Sequence, residues 1–240
     1  MSIILVLINA STGVILIRRD IEALRDREVS SIRGERRFKL RGGVVCLDFV
    51  NTVGSRLTDR PREYLRSYED LLGWARQAGL LAPEETEGLF RQAALDSEGA
   101  RETLSRALAL REAIDRVISR AIAGESQEGS DLSVLNRELS IALSHLRVMH
   151  SGGAYGWDWD LSGDDGVARL DGPLWPVAQS AAELLTSPKL GRVKVCAGDG
   201  CGWMFLDESR NNSRRWCDSR DCGNRERVRR HLARKRASDS

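Results

Sequence analysis

The sequence lacks the features by which many enzymes and membrane proteins are recognised. Its longest apolar stretch, residues 3–17, has 15 residues interrupted by polar ones, whereas a transmembrane helix needs about 20. No basic start or small-residue cleavage site marks this stretch as a secretory signal. The histidines, His145, His150 and His231, do not stand in H-E-x-x-H spacing, and no G-x-S-x-G, P-loop or G-x-G-x-x-G sequence occurs. We therefore expect neither a membrane protein nor an enzyme.

Charge is nearly balanced overall but unevenly distributed. The formal net charge of the 240 residues is only +2. Residues 188–240 contain 14 Lys or Arg and 7 Asp or Glu, a charge of +7, which leaves −5 for the rest of the chain. An acidic body with a basic C-terminal region predicts a polyanionic partner, most often nucleic acid.

Four of the five cysteines form two pairs with the same spacing. Both pairs are written C-x4-C-G, and 15 residues separate them. Two close cysteine pairs are typical of a structural zinc site, and two disulfides or unrelated thiols are the alternatives. The fifth cysteine, Cys46, reads as a buried thiol, and one leftover free thiol favours a reducing cytoplasm. We predict a cytoplasmic protein with one Zn2+ per chain, bound by Cys196, Cys201, Cys217 and Cys222.

The region before the cysteines predicts a mostly helical body. Apolar residues at helical spacing and capping signals predict helices from Ser67, from Pro83, over 98–123, over 131–146 and from Pro173 or Pro176 to 186. The alternation of Tyr155, Trp157 and Trp159 predicts a strand, with residues 167–170 as its partner across the turn at 163–166. Gly42 and Gly43 mark either a tight hairpin or a strand that runs into a helix.

The cysteine-rich region predicts a small module with its own strands and helix. Residues 203–206 read as a strand and residues 214–217 as the return strand. From Cys222 the chain reads as a basic helix, with Val228 and Leu232 packed inward. The fold class is therefore α+β: a mostly α-helical body with a small antiparallel sheet, followed by a treble-clef-like four-cysteine zinc finger. The domains are an N-terminal extension (1–35), the body (36–187) and the finger with its basic helix (188–240).

The N-terminal extension has two interpretations. Residues 3–17 read as strand, turn and strand, and residues 18–37 as a charged, solvated helix or linker. Alternatively, translation starts downstream and the first 34 residues are not native. We expect their deletion to leave stability and zinc content nearly unchanged.

The finger closely resembles the CGNR zinc-finger family in the sequence C-G-W-M-F-L-D-E-S-R-N-N-S-R-R-W-C-D-S-R-D-C-G-N-R. The body resembles the ABATE domain that accompanies this finger in bacterial proteins described as stress-induced transcription regulators. The matching signatures are L-D-F-V-N-T (47–52), the W-x-W of Trp157 and Trp159, and P-L-W-P-V-A-Q-S-A-A-E-L-L (173–185). The resemblance covers about residues 37–236 and implies a cytoplasmic regulator whose finger binds nucleic acid, DNA ahead of RNA.

Two sets of residues are candidates for binding. The first set carries the positive charge of the finger and is predicted to contact nucleic acid: Arg214, Arg215, Arg225, Arg227, Arg229, Arg230 and Arg234. The second set places polar and aromatic groups beside an apolar segment and would line a pocket for a small-molecule effector: Arg41, Asp48, Asn51, Trp157 and Trp159. For the second set a buried polar network that fixes the body is the alternative.

Two functions therefore compete. In the first, the body senses an effector or forms a homodimer, and the finger binds DNA. In the second, the body binds small molecules or acts as an enzyme, and the finger is a structural or protein-interaction module.

Overall fold

The computed structural model describes residues 37–126, 129–151, 153–162 and 167–238. The helices in these ranges are α1 (Val45–Val50), α2 (Tyr68–Gln77), α3 (Pro83–Leu95), α4 (Ser97–Ala123), α5 (Gly129–Ser144), α6 (Trp175–Leu185) and α7 (Cys222–Ser238). The strands are β1 (Val53–Gly54), β2 (Arg62–Glu63), β3 (Leu146–Ser151), β4 (Ala154–Trp159), β5 (Val193–Val195) and β6 (Met204–Leu206). They pair as β1–β2, β3–β4 and β5–β6, each antiparallel. The predicted α+β class, mostly helical with little sheet, is confirmed.

The hydrophobic core of the body surrounds the short helix α1. Phe49 of α1 is fully buried and packs against Trp74 of α2, with ring centroids 4.9 Å apart. Helices α4 and α6 pack against α1, and α5 packs against both of them. Met204 and Leu206 of β6 lie in the same core, so the body and the finger share apolar packing.

Local capping signals set the helix ends. Ser67 caps α2 by accepting a hydrogen bond from the backbone N–H of Asp70, as predicted. Pro83 lies in the first turn of α3, where its missing N–H leaves no hydrogen bond unmade. The carboxylate of Asp96 caps the start of α4, and Gly124 ends that helix at a φ of 71°. The predicted helices in this region are therefore confirmed to within a residue or two.

The body strand β4 has a partner that the sequence did not reveal. It pairs with β3, whereas the predicted partner, residues 167–170, contributes an isolated bridge from Ala168 to Ser162. The prediction was wrong because α5 ends at Ser144, two residues earlier than expected, and the freed chain becomes β3. The turn predicted at 163–166 lies outside the described residues.

The finger strand β6 also has an unexpected partner. Val193 and Val195 of β5 lie opposite Leu206 and Met204, respectively. The predicted return strand at 214–217 does not form. That segment instead accepts a hydrogen bond at the Arg215 carbonyl.

The start of the body bends rather than forming a hairpin. The N–H of Gly42 donates to Asp48 Oδ1 at 2.7 Å, and Gly43 has a φ of 88°. A Cβ at Gly42 would lie 2.6 Å from the backbone nitrogen of Asp48, so glycine is required for this close approach. Of the two alternatives predicted here, the hairpin is wrong. The chain does run into a helix, α1, but through this bend and without a preceding strand in residues 37–44.

The strand pair predicted for residues 3–17, and all but the last residue of the charged segment predicted at 18–37, lie outside the described residues. Within the described part of the chain, no helix combines the length and the apolar character needed to cross a membrane.

Candidate metal centre and nucleic-acid interface

The four paired cysteines meet in one buried cluster. The Sγ atoms of Cys196, Cys201, Cys217 and Cys222 all lie within 4.8 Å of one another. These residues are between 2% and 8% exposed, and none of them is in a disulfide. Cys46 is a separate buried thiol. The convergence of four free thiols on one point matches a tetrahedral metal site and not two disulfides.

Two turns present the cysteines to this point. We call residues 196–202 the first knuckle and residues 217–223 the second knuckle. The first knuckle follows β5, and the N–H of Cys196 donates to the carbonyl of Trp203 at 2.7 Å. The second knuckle leads into α7, which begins at Cys222. The ligands are therefore fixed by a strand pair on one side and by the start of a helix on the other.

Hydrogen-bond donors lie beside two of the four sulfur atoms, those of Cys196 and Cys222. Cys196 Sγ accepts hydrogen bonds from the N–H groups of Gly198, at 3.4 Å, and Cys217, at 3.3 Å. Arg225 Nη2 lies 2.9 Å from Cys222 Sγ. Hydrogen bonds from neighbouring thiols and from these N–H groups lower the pKa of Cys196. Four buried cysteine sulfur atoms fit one structural Zn2+, whose two positive charges would offset two of the four negative charges of the thiolates.

Asp207, which no sequence prediction singled out, organises the finger beside the zinc site. It is fully buried, and its carboxylate accepts hydrogen bonds from Lys194 Nζ at 2.7 Å, the Ser209 N–H at 2.9 Å and the Arg214 N–H at 2.8 Å. Burial alone would raise the pKa of Asp207, but these donors outweigh it and lower the pKa. The spacing D-x-S at 207–209 was the available signal, since such residues often bond their own following backbone.

Arg214 points into the finger and not towards solvent. Its guanidinium donates to the carbonyls of Trp216, at 2.9 Å, and Cys217. It also lies over the ring of Phe205, 4.3 Å from the centroid. These contacts make Arg214 a brace for the second knuckle, so its donors are already used within the molecule.

The finger is joined to the body along the free edge of β6. The side-chain amide of Asn51 donates to the Met204 carbonyl at 2.8 Å and accepts from the Met204 N–H at 2.9 Å. The carbonyl of Gly42 accepts from the Leu206 N–H at 2.7 Å. The indole N–H of Trp203 donates to a body carbonyl at 2.6 Å. Body groups therefore take the place of a third strand beside β5–β6.

Comparison with known families agrees with this geometry. Residues 43–188 match the ABATE family, described as "Putative stress-induced transcription regulator", and residues 192–235 match the CGNR zinc finger. The chain belongs to the ABATE family. A comparison with curated proteins finds no match. Neither family description names an enzyme.

In this ABATE protein the basic helix α7 stands away from the finger. Residues 227–236 are all exposed. Val228 and Leu232 are 51% and 50% exposed, so the prediction that they pack inward is wrong. The reason is that α7 contacts the finger only through its first turns, where Glu226 is buried.

The predicted nucleic-acid arginines differ in how far they are already engaged. Arg225 bonds to Cys222 and pairs with Asp221, while Arg229 pairs with Asp199 of the first knuckle at 3.0 Å. Three others lie on one side of α7 at i, i+3 and i+7 spacing, which we call the basic face: Arg227, Arg230 and Arg234. Arg215 is exposed beside the ring of Trp216.

The predicted pocket residues have separate partners. Arg41 pairs with Asp218 of the second knuckle at 2.9 Å. Asp48 and Asn51 hold the bend and β6, as described above. Trp159 lies 5.9 Å from Trp175 between ring centroids, and Trp157 is 45% exposed on the outer part of β4. The structure therefore brings the first three to the body–finger junction and leaves the two tryptophans on the hairpin.

Two cavities lie elsewhere in the body. One, of about 290 Å³, is lined by residues of α3 and by Leu161. The other, of about 570 Å³, is polar and includes Thr103 and Arg106 of α4 and Arg169. None of the predicted pocket residues lines either cavity. An effector therefore stays a prediction from the sequence.

Proposed function

We propose that this protein is a cytoplasmic transcription regulator that binds double-stranded DNA through the basic face of α7. The observation that carries the proposal is a helix with seven Lys or Arg and one acidic residue, which is exposed throughout residues 227–236 and whose first residue is a zinc ligand. Because zinc fixes Cys222, it also fixes where the helix starts. A rigid positively charged helix suits the negatively charged phosphates along a DNA groove.

The single acidic residue of α7 pairs with two of its seven basic residues. Glu226 pairs with Arg229 at 2.8 Å and with Arg230 at 2.9 Å. The two arginines are at least half exposed, so they can contact phosphates as well as Glu226. Arg234 makes no hydrogen bond or ion pair with the described residues. Arg214 is left out of the proposed interface, because its donors already brace the finger.

Salt-dependent binding tests the proposal. Fluorescence anisotropy with duplex genomic fragments at several salt concentrations should show an affinity that falls steeply with salt. Alanine at Arg227, Arg230 and Arg234 should weaken binding to all duplexes and reduce the slope of log K against log[salt] by about 3. Alanine at three exposed body arginines, Arg91, Arg101 and Arg137, is the matched control and should change neither quantity.

An unchanged affinity and slope in the first triple variant would contradict the proposal, as would absence of DNA binding by the wild type at low salt. Either result would favour the second function, a ligand-binding or enzymatic body with a structural finger. A preference for single-stranded RNA over duplex DNA would assign RNA as the partner.

The body has a surface suited to forming a homodimer. One face of the hairpin β3–β4 carries the cross-strand pairs Val148–Trp157 and His150–Tyr155. Val148 is 59% and Tyr155 78% exposed, although a two-stranded hairpin is marginally stable on its own. We propose that a second copy covers this hairpin.

A second copy is favoured by the sequence of β4. If two β4 strands paired antiparallel about a two-fold axis at Gly156, Tyr155 of one would lie opposite Trp157 of the other, and such aromatic pairs stabilise neighbouring strands. No like charges would meet. Sedimentation should show a dimer that Trp157→Lys converts to monomer, whereas Leu95→Lys, at another exposed apolar residue, should leave the dimer intact. A wild type that stays monomeric at high concentration would refute the dimer without bearing on DNA binding.

A further inference from the structure

Two separate body segments hold the two zinc knuckles. The segment that leads into the body holds the second knuckle: Lys39 Nζ lies 2.7 Å from Asp221 Oδ2, and Arg41 pairs with Asp218. The loop between β1 and β2 holds the first knuckle, and we call its residues 55–58 the clamp loop. The body therefore contacts both knuckles of the zinc site.

The clamp loop contacts the first knuckle through its backbone. The N–H of Arg56 donates to the carbonyl of Cys201 at 3.1 Å, and the N–H of Leu57 donates to the carbonyl of Gly200 at 3.3 Å. The clamp loop lies so close to the first knuckle that two positions of the knuckle must be glycine. A Cβ at Gly202 would lie 2.9 Å from Leu57 Cγ, and one at Gly200 would lie 2.6 Å from Thr58 Cγ2. Movement of this loop would therefore displace the turn that carries Cys201.

A partly buried ion pair anchors the clamp loop to α4. Arg56 Nη1 lies 2.7 Å from Glu112 Oε2, and Arg56 Nη2 donates to the Val50 carbonyl at 3.1 Å. The other oxygen of Glu112 accepts from Arg111 Nε at 2.9 Å. Arg111 is itself 4% exposed and forms two 2.7 Å hydrogen bonds with Glu63 of β2. A continuous set of hydrogen bonds thus connects the longest helix of the body to a zinc ligand.

We propose that the Arg56–Glu112 pair is a positioning element of the zinc site, which holds the clamp loop against the first knuckle and thereby slows the loss of zinc. Neither side chain binds the metal. Both act on Cys201 through the Arg56 backbone, as outer residues of metal sites act through the ligands that they orient. The zinc affinity of this finger is therefore set in part by the body.

Zinc release from the full chain tests this proposal. Glu112→Gln keeps the size of the side chain and removes its charge, so we expect zinc transfer to a chromogenic chelator at 25 °C to become about tenfold faster. Arg56→Gln should have the same effect. Arg56→Gln also removes the contact of Arg56 with Asp115 at 3.4 Å. The double variant should therefore release zinc no faster than Arg56→Gln, because the Glu112 change then has no further pair to break. Glu98→Gln, in an exposed pair with Arg101 on the same helix, should release zinc at the wild-type rate.

Thermal unfolding separates positioning from general support of the fold. If the pair positions the zinc site, the rise in melting temperature that zinc produces should shrink in Glu112→Gln. Equal lowering of the melting temperatures of zinc-loaded and chelator-treated protein, with an unchanged release rate, would overturn the proposal. Should Glu112→Gln fail to fold, Glu112→Asp keeps the charge but shortens the reach and should release zinc faster than the wild type. Wild-type release rates in Arg56→Gln and Glu112→Asp would also overturn it.

Discussion

Replacing Asn51 with leucine should separate the finger from the body at one defined point. Asn51 is 3% exposed, and its amide satisfies both backbone groups of Met204, which is 1% exposed. Leucine has a similar shape but offers neither a donor nor an acceptor. The substitution would leave the N–H and the C=O of Met204 buried without partners, while the apolar contacts around the side chain would be kept.

The expected cost follows from those two groups. A buried backbone group left without a hydrogen bond costs about 1–3 kcal/mol, so two of them cost about 2–6 kcal/mol. The apolar leucine side chain offsets part of this, and we expect a loss of about 3 kcal/mol in the free energy of unfolding. That is a large share of a total stability of about 5–15 kcal/mol. With a urea m-value of about 1–3 kcal/mol/M, the midpoint should fall by at least about 1 M.

Urea unfolding of the zinc-loaded protein, followed by tryptophan fluorescence, measures this change. Hydrogen exchange locates it, because the amide of Met204 should lose protection in Asn51→Leu. Asn136→Leu, at an exposed position of α5, is the control and should change stability by no more than about 0.5 kcal/mol. If Asn51→Leu unfolds within about 0.5 kcal/mol of the wild type and Met204 stays protected, the assignment of this junction is wrong.

Three further predictions concern the thiols and one ion pair. In Cys217→Ser, metal analysis should find less than one zinc per chain. The melting temperature of the body should fall as well, because Met204 and Leu206 of the finger lie in the shared core. Full zinc content in this variant would contradict the prediction. Burial raises the pKa of Cys46 to about 12, so at pH 8 only about one molecule in ten thousand carries its thiolate. Mass spectrometry should find Cys46 unmodified by iodoacetamide until denaturant is added, and modification of the native protein would refute the burial argument. A hydrogen bond from Arg116 lowers the pKa of Asp131 below its unfolded value of about 3.9. The Asp131 carboxylate therefore contributes fully to the free energy of unfolding above that pH, and this contribution is lost as the pH falls through the folded-state pKa. Urea unfolding should show Asp131→Asn to be less stable than the wild type by about 1 kcal/mol at pH 7, a figure reduced because Arg116 is half exposed. This difference should disappear below about pH 4, and a difference independent of pH would contradict the prediction. Glu87→Gln, in an exposed ion pair, is the control.

Local sequence was sufficient for the zinc ligands and for most helices. The cysteine spacing alone predicted the four residues that converge, because ligands of a small knuckle lie close together in the chain. Ser67 accepts a hydrogen bond from an N–H three residues on, and Pro83 occupies a first-turn position that needs no N–H, so both signals can be read within a few residues. The family resemblance rested on the same short motifs.

Strand pairing and the roles of single polar residues were decided by the tertiary structure. Nothing near Trp203 indicates that its strand would pair with β5 on one side and meet Asn51 on the other, a residue more than 150 positions away. Asp48 and Asn51 looked like pocket residues because a polar group in an apolar segment needs a partner, and the sequence does not say which. Likewise Arg214 and Arg234 have the same side chain, and only the packing of the finger determines that the first braces a zinc knuckle while the second lies in solvent.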